Sequence, residues 1–314
     1  MASFTDDTTT LDFASTFSDV TPLPQHDGPF PICAIQYPER FALAMSYFRA
    51  ILKSGELSER SLLLTAAVID GNPANYTAWH LRRRCLVALG KPLGPEIDFT
   101  SRAGGDNPKN YQIWFHRRSC LDQLEGETSS AAASELEYVG RVIEDDSKNY
   151  HAWSHRQHIV SKFDLWDGEL AFVTAAIEAD IRNNSAWNQR WFATHGESPK
   201  AVLDLEAEVD YALEVAGRDV HNESPIKYCL GLLKESWKKG VGEKETDKVV
   251  EKMLEWKDQN SSHVHSLLVD VYARRGGREN LEKAGELCDE LAEEVDGVRG
   301  KFWRWRKGRM SEGA

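Results

Sequence analysis

The chain is short of most features that would anchor, cross-link or arm it. Its 314 residues contain no run of 18 or more apolar residues, so no segment reads as a membrane-spanning helix. The start, MASFTDDTTT, has neither the basic nor the apolar region of a signal peptide. The end, Ser311 to Ala314, has no prenylation signal, and Ala2 stands where myristoylation needs glycine. A cytoplasmic chain without stable membrane insertion is therefore expected. Cysteine is sparse: Cys33, Cys85, Cys120, Cys229 and Cys288 lie tens of residues apart, odd in number and without a C-x-x-C pair. They read as reduced, mostly core thiols rather than a disulfide frame or a zinc cage. Positive charge is also short, 38 Lys and Arg against 50 Asp and Glu, a net −12 that argues against nucleic acid as a partner and makes any polyanion site local. A Gly-rich phosphate loop and a nucleophile elbow are absent, and no cysteine is expected to have a close histidine.

What the chain has in excess is tryptophan, ten in all, and four of them mark a repeat. NPANYTAWHLRRRCLVAL begins at Asn72, NPKNYQIWFHRRSCLDQL at Asn107, DSKNYHAWSHRQHIVSKF at Asp146 and DIRNNSAWNQRWFATHG at Asp180. Counted from Trp79, Trp114, Trp153 and Trp187, position −7 is Asn or Asp and position −4 is Asn75, Asn110, Asn149 and Asn183. Position +3 is Arg82, Arg117, Arg156 and Arg190. The tryptophans are 35, 39 and 34 residues apart, the size of a two-helix unit in an α-solenoid. A decayed copy over 219–233 keeps Asp219 and Asn222 but has Ile226 and Cys229 in place of Trp and Arg; a sixth keeps only Asn260.

Each position has a physical reading. The −4 Asn is an N-cap, the Trp then lies one turn inside the helix, and Trp and Arg at i, i+3 share a face. The guanidinium can lie along the indole or reach a neighbouring repeat's carbonyls. Between these helices run plainer amphipathic ones, such as SELEYVGRVIEDD and GELAFVTAAIEAD. Ser198-Pro199 reads as the start of another, with Gly217 as its stop. The expected fold is all-α, a right-handed α-α superhelical solenoid, a crescent of about seven helical hairpins. Residues 1–36 read as an extended or disordered N-terminal arm and 37–314 as the repeat domain, with repeats near 72–89, 107–124, 146–163 and 180–196.

Candidate chemistry is scarce. His151, His155 and His158 fall at i, i+4 and i+7, but no Glu completes H-E-x-x-H and two of the three sit in the repeat frame, which favours packing roles. The tail from Val298 to Arg309 interleaves basic and aromatic residues; in an acidic chain it reads as a capping helix. More informative is position −5, just ahead of each repeat helix: Ala74, Lys109, Lys148 and Arg182. Stacked repeats would present these cations beside helix N-termini, where free N–H groups already favour anions such as a phosphate or diphosphate. Beside them come Tyr76, Tyr111 and Tyr150, then Gln112 and His151. The alternative reading of the cations is solvated side chains in turns.

The motif N-Y-x-x-W-x-x-R with these variants, together with DGPFP, YFRAIL, SERS and SLLVDVYARR, resembles the prenyltransferase α-subunit repeat family over about 275 residues. In detail it resembles the α subunit shared by protein farnesyltransferase and geranylgeranyltransferase type I. It departs from the family in its degenerate fifth copy, in Phe115 where many members have His, and in a short N-terminal arm. The resemblance implies transfer of a farnesyl or geranylgeranyl group from its diphosphate to the cysteine of a C-terminal CaaX motif, in a heterodimer with a β subunit absent from this chain. It implies Zn2+ held by β and Mg2+ for the diphosphate. It further implies that Lys109 meets the diphosphate, with Tyr111, Tyr150 and His151 near it. Gln112 would bind the peptide's terminal carboxylate, Tyr76 would border the pocket for its last side chain, and Asn149 would join them as a substrate-binding residue. Two alternatives stand: a non-enzymatic helical-repeat scaffold, and the α subunit of Rab geranylgeranyltransferase, against which the NYQIW and NNSAWNQR spellings argue.

Overall fold

The computed structural model describes residues 11–33, 35–123, 128–196 and 204–312. Among them every regular element is a helix. Two compact units are present, Met1–Ile159 and Val160–Ala314, and the repeat pattern carries no boundary at that point. The first holds α1 (Phe13–Thr16), α2 (Glu39–Ser54), α3 (Glu59–Gly71), α4 (Tyr76–Ala88), α5 (Gly94–Asp106), α6 (Tyr111–Leu121), α7 (Thr128–Asp145) and all but the last three residues of α8 (Tyr150–Lys162). The second holds α9 (Glu169–Ala179), α10 (Asn184–His195), α11 (Leu205–Arg218), α12 (Glu223–Lys238), α13 (Glu243–Trp256), α14 (Ser262–Arg275), α15 (Gly277–Glu290) and α16 (Gly300–Glu312). From α3 onward they pair in sequence, which makes seven helix pairs among the described residues.

The turn inside each repeat explains why its second helix starts where it does. Asn75, Asn110, Asn149 and Asn183 each end a short turn and accept a backbone N–H from the first turn of the next helix, as does Asn222 in the decayed copy. The Asx at −7 shapes the same turn: Asn72, Asp146, Asp180 and Asp219 each accept the N–H two residues on through Oδ1. The N-cap Asn thus satisfies an orphan N–H at each of these helix starts, and in four of the turns the Asx also holds the N–H just ahead of the cap.

The tryptophans are pegs with a polar handle. Trp79, Trp114, Trp153 and Trp187 are buried, and each indole N–H donates to the carbonyl six residues earlier, Pro73, Pro108, Ser147 or Ile181, at 2.8–2.9 Å. A buried indole therefore leaves no polar atom unmet. In the decayed copy Ile226 and Cys229 occupy the peg and arginine positions and are themselves buried.

Four expectations are corrected. The arginine at +3 does not lie along the indole: Arg82, Arg117 and Arg190 stack on Phe99, Tyr138 and Tyr211 of the following helix, at 3.9, 3.8 and 3.7 Å from the ring centroids. Part of the 1–36 segment is folded: α1 buries Phe13, and Phe17 beside it is buried as well; both stack on Tyr47, while the Arg49 Nε–H donates to the Leu23 carbonyl at 2.7 Å. Gly217 does not stop its helix, because α11 continues through Arg218 to a cap at Asp219. A close cysteine–histidine pair is present after all, because one helical turn brings the buried Cys120 Sγ to 3.7 Å from His116 Nε2; the cysteines are mostly buried as expected, Cys33 being exposed. Ser198 and Pro199 lie outside the described residues. The basic, aromatic tail is α16, which buries Trp303, bonds its indole N–H to Asp296 at 2.7 Å, and pairs Arg306 with Asp270 and Lys307 with Asp289.

Candidate functional site

Behind the helix starts lies a buried polar network that fixes them. Arg82 donates through Nε to Glu96 at 2.6 Å and through Nη1 to the Leu62 carbonyl and Thr65. Arg117 repeats the set with Glu135, the Ile97 carbonyl and Thr100, and Arg190 with Glu208 and Thr174. Each acid is also bonded by a residue of the next repeat helix: His116 to Glu96, His155 to Glu135, Tyr228 to Glu208, and, in the fourth pair, Gln189 to Glu169. Burial pushes the Glu96 carboxyl up, but the His116 and Arg82 hydrogen bonds outweigh it and leave it at about 2. Glu135 shifts down by the same balance of burial against His155 and Arg117. Burial holds His116 below the ordinary imidazole range despite Glu96, so the neutral ring is the donor.

These acids were missed from the sequence. A lone carboxylate on an amphipathic helix looks like surface. The available signal was a constant interval: Glu96, Glu135, Glu169 and Glu208 each precede their next-repeat partner by 20 residues.

In front of this network, within the first unit, lies the surface the sequence pointed to. Tyr76, Tyr111 and Tyr150 are the first residues of α4, α6 and α8, and their side chains reach solvent at 69, 59 and 76% exposure. The His151 ring stands edge-on to Tyr150, with centroids 5.6 Å apart. Tyr111 stacks on Phe115 at 6.2 Å, and the Arg83 guanidinium lies 5.0 Å from the other ring. Gln112 is half-buried with its N–H on Asn110. Lys109 is three-quarters exposed and pairs with Asp146, Nζ to Oδ2 3.0 Å. The Lys109 ammonium beside it holds the Asp146 carboxyl below the usual range.

One assigned residue does not reach this surface. Asn149 is buried, its Oδ1 accepts from the N–H groups of His151 and Ala152, and its Nδ2 donates to the Pro108 carbonyl at 3.0 Å. Its oxygen and one amide hydrogen tie the turn that carries Lys109 to the start of α8. Arg182, in the second unit, pairs with Asp219, as Lys109 does with Asp146. The three histidines of α8 do not converge: His155 binds Glu135, His158 binds Asp122 at 2.8 Å, and His151 faces Tyr150. Among the described residues no three His, Cys, Asp or Glu side chains form a set that fits a metal ion. No described helix is long and apolar enough to cross a membrane.

The surface is open. A groove of about 980 Å³ lies elsewhere, beside Gly276, Leu281 and Lys307, and one of about 450 Å³ beside Phe13, Tyr37 and Phe41; Lys109, Tyr111, Tyr150 and His151 line neither. Such an arrangement offers the exposed cations Lys109 and Lys148, phenol and imidazole donors, and helix N-termini to an anion, at a surface open to water among the described residues.

The family model described as the protein prenyltransferase alpha subunit repeat matches residues 58–89, 95–124, 132–163 and 166–195. A curated relative from Solanum lycopersicum, a protein farnesyltransferase/geranylgeranyltransferase type-1 subunit alpha, is 42% identical over 313 residues, covering 93% of this chain and 88% of its own. One of the same description from Dictyostelium discoideum is 37% identical over 305 residues, covering 94 and 92%. The chain also superposes on a chain of a solved structure described as Candida albicans protein geranylgeranyltransferase-I complexed with GGPP. The TM-score is 0.82 at 26% identity, covering 96% of this chain and 99% of that one.

Proposed function

The chain belongs to the protein prenyltransferase α-subunit family, and from that premise we propose that it is the α subunit of a heterodimeric protein prenyltransferase acting on CaaX proteins. The reaction forms a bond between the CaaX cysteine sulfur and C1 of a farnesyl or geranylgeranyl chain, and breaks the bond between C1 and the diphosphate oxygen. The diphosphate leaves with the bonding electrons, so charge develops on it as the bond breaks. Lys109 and the donors Tyr111, Tyr150 and His151 are placed to meet that charge, and interactions that strengthen as it develops accelerate the step. Gln112 takes the peptide's terminal carboxylate and Tyr76 borders its last side chain. Zn2+, which would ionise the substrate thiol, and Mg2+ are assigned to the β subunit and the diphosphate, since the described donor sets of this chain do not suit a metal.

The observation that carries the reading is the openness of the surface. Three exposed phenols and an exposed lysine stand at the starts of successive repeat helices, open to solvent as one half of a site would be. The chain alone should transfer nothing, and activity should appear when a β subunit is added. Lys109→Ala should cost on the order of 100-fold in turnover, less where other cations share the charge, while the heterodimer still forms. Turnover by the lone chain, or normal turnover by the variant, would refute the corresponding part.

A further inference from the structure

We propose that Asp146 is the resting counter-ion of Lys109 and thereby sets how tightly this surface takes a prenyl diphosphate. This rests on the reading of Lys109 as the diphosphate's lysine. Before any ligand arrives, the ammonium is already committed to Asp146 Oδ2 at 3.0 Å, with the lysine 74% and the aspartate 31% exposed. An anion that recruits Lys109 must draw it off that carboxylate and then share the turn with the carboxylate's uncompensated charge. A solvent-exposed pair is weak and breakable, so Asp146 tunes the lysine without blocking it.

The turn does not require the charge. At the equivalent position of the first repeat, Asn72 accepts the Ala74 N–H through its amide oxygen at 3.1 Å, just as Asp146 accepts the Lys148 N–H through Oδ1 at 3.3 Å. The second repeat also has an amide there, Asn107. A neutral residue therefore builds this turn elsewhere in the same molecule, which leaves the second carboxylate oxygen of Asp146 to serve Lys109. A bland alternative is visible as well: Asp219 pairs with Arg182 in the second unit, where Asn184 and Ser185 replace the Tyr-His pair. Such pairs can simply join neighbouring repeats, and that copy supplies the control.

The test uses the assembled heterodimer and measures the dissociation constant for farnesyl or geranylgeranyl diphosphate together with kcat and KM. Asp146→Asn should tighten diphosphate binding about two- to fivefold, the range of one exposed ion pair. The gain should shrink as ionic strength rises. It should appear in KM as well as in the dissociation constant. Asp219→Asn should change nothing, and Asp146→Asn should confer no gain in a Lys109→Ala background. Unchanged or weaker binding, or an equal gain in the Lys109→Ala background or from Asp219→Asn, would overturn the counter-ion role. Lys109→Ala alone reports on the underlying reading: if it leaves affinity and turnover untouched, both fall. If it weakens them while Asp146→Asn has no effect, only the counter-ion role falls.

Discussion

Replacing Glu135 with alanine should be among the most damaging single substitutions in the first unit. Glu135 is 2% exposed and takes the Arg117 Nε–H at 2.6 Å and the His155 Nε2–H at 2.7 Å. Removing it strands a buried guanidinium, which ordinarily costs about 3–5 kcal/mol. Arg117 would keep the Ile97 carbonyl at 3.0 Å, Thr100 at 2.9 Å, Ser101 at 2.7 Å and the Tyr138 face, which points to the lower end of that range. The orphaned imidazole adds about 1–3 kcal/mol, partly overlapping. With a urea slope near ~3 kcal/mol/M, the midpoint should fall by about 1 M or more. The measurement is urea unfolding of the assembled protein, followed by tryptophan fluorescence at fixed protein concentration, since partner binding shifts apparent stability. Converting the pair to apolar residues, Glu135→Leu with Arg117→Met, should recover part of the loss, because no buried charge then remains. A loss below ~1 kcal/mol for Glu135→Ala, with the urea slope unchanged, would refute the claim that this acid holds the network together.

Two further outcomes follow from the same network. His155→Gln should be tolerated within about 1.5 kcal/mol, because Gln189 already plays this part against Glu169 at 2.6 Å; a loss as large as that of Glu135→Ala would show that the imidazole itself is required. Stability should fall on acidification in two stages. His116 is held neutral in the fold, so stability declines as pH drops below about 6.5, where the unfolded ring takes a proton. Glu96 sits at about 2 when folded against 4.5 unfolded, so its contribution is present above pH 4.5 and is lost between 4.5 and 2. Thermal melts at a series of pH values would show it, and a flat profile from pH 7 to 3 would contradict it.

The helix starts were legible because their cause is local. An Asn accepting an N–H two or three residues ahead, an Asx closing its own turn and a Trp bonding six residues back all act within one short stretch, so a repeated frame exposes them. The direction of the arginine was not legible. Its stacking ring and its acid lie on the next helix, 14 or 18 residues away for the acids, and amphipathic spacing alone cannot separate a buried Glu from a solvated one. The folded part of the N-terminal segment escaped for a similar reason: Phe13 and Phe17 are isolated apolar residues in a Thr- and Asp-rich stretch, and what they pack against, Tyr47 with Arg40 and Arg60, is supplied by later helices. Asn149 shows the opposite failure. Its neighbours Lys148 and Tyr150 are exposed, but the cap geometry turns its amide inward onto Pro108.

The repeat frame by itself determined that this chain is helical, how its helices are spaced, and which residues stand at each helix start, because helix capping and period are properties of consecutive residues. The family likeness attached chemistry to Lys109, Tyr111, Tyr150 and His151. Only the tertiary structure decided that Lys109 is already paired with Asp146, that Asn149 is buried against the Pro108 carbonyl, and that Glu96, Glu135 and Glu208 hold the arginines. Each of those facts depends on which side chain a neighbouring helix delivers, and burial, which makes such contacts strong, is set by packing and not by the order of residues along the chain.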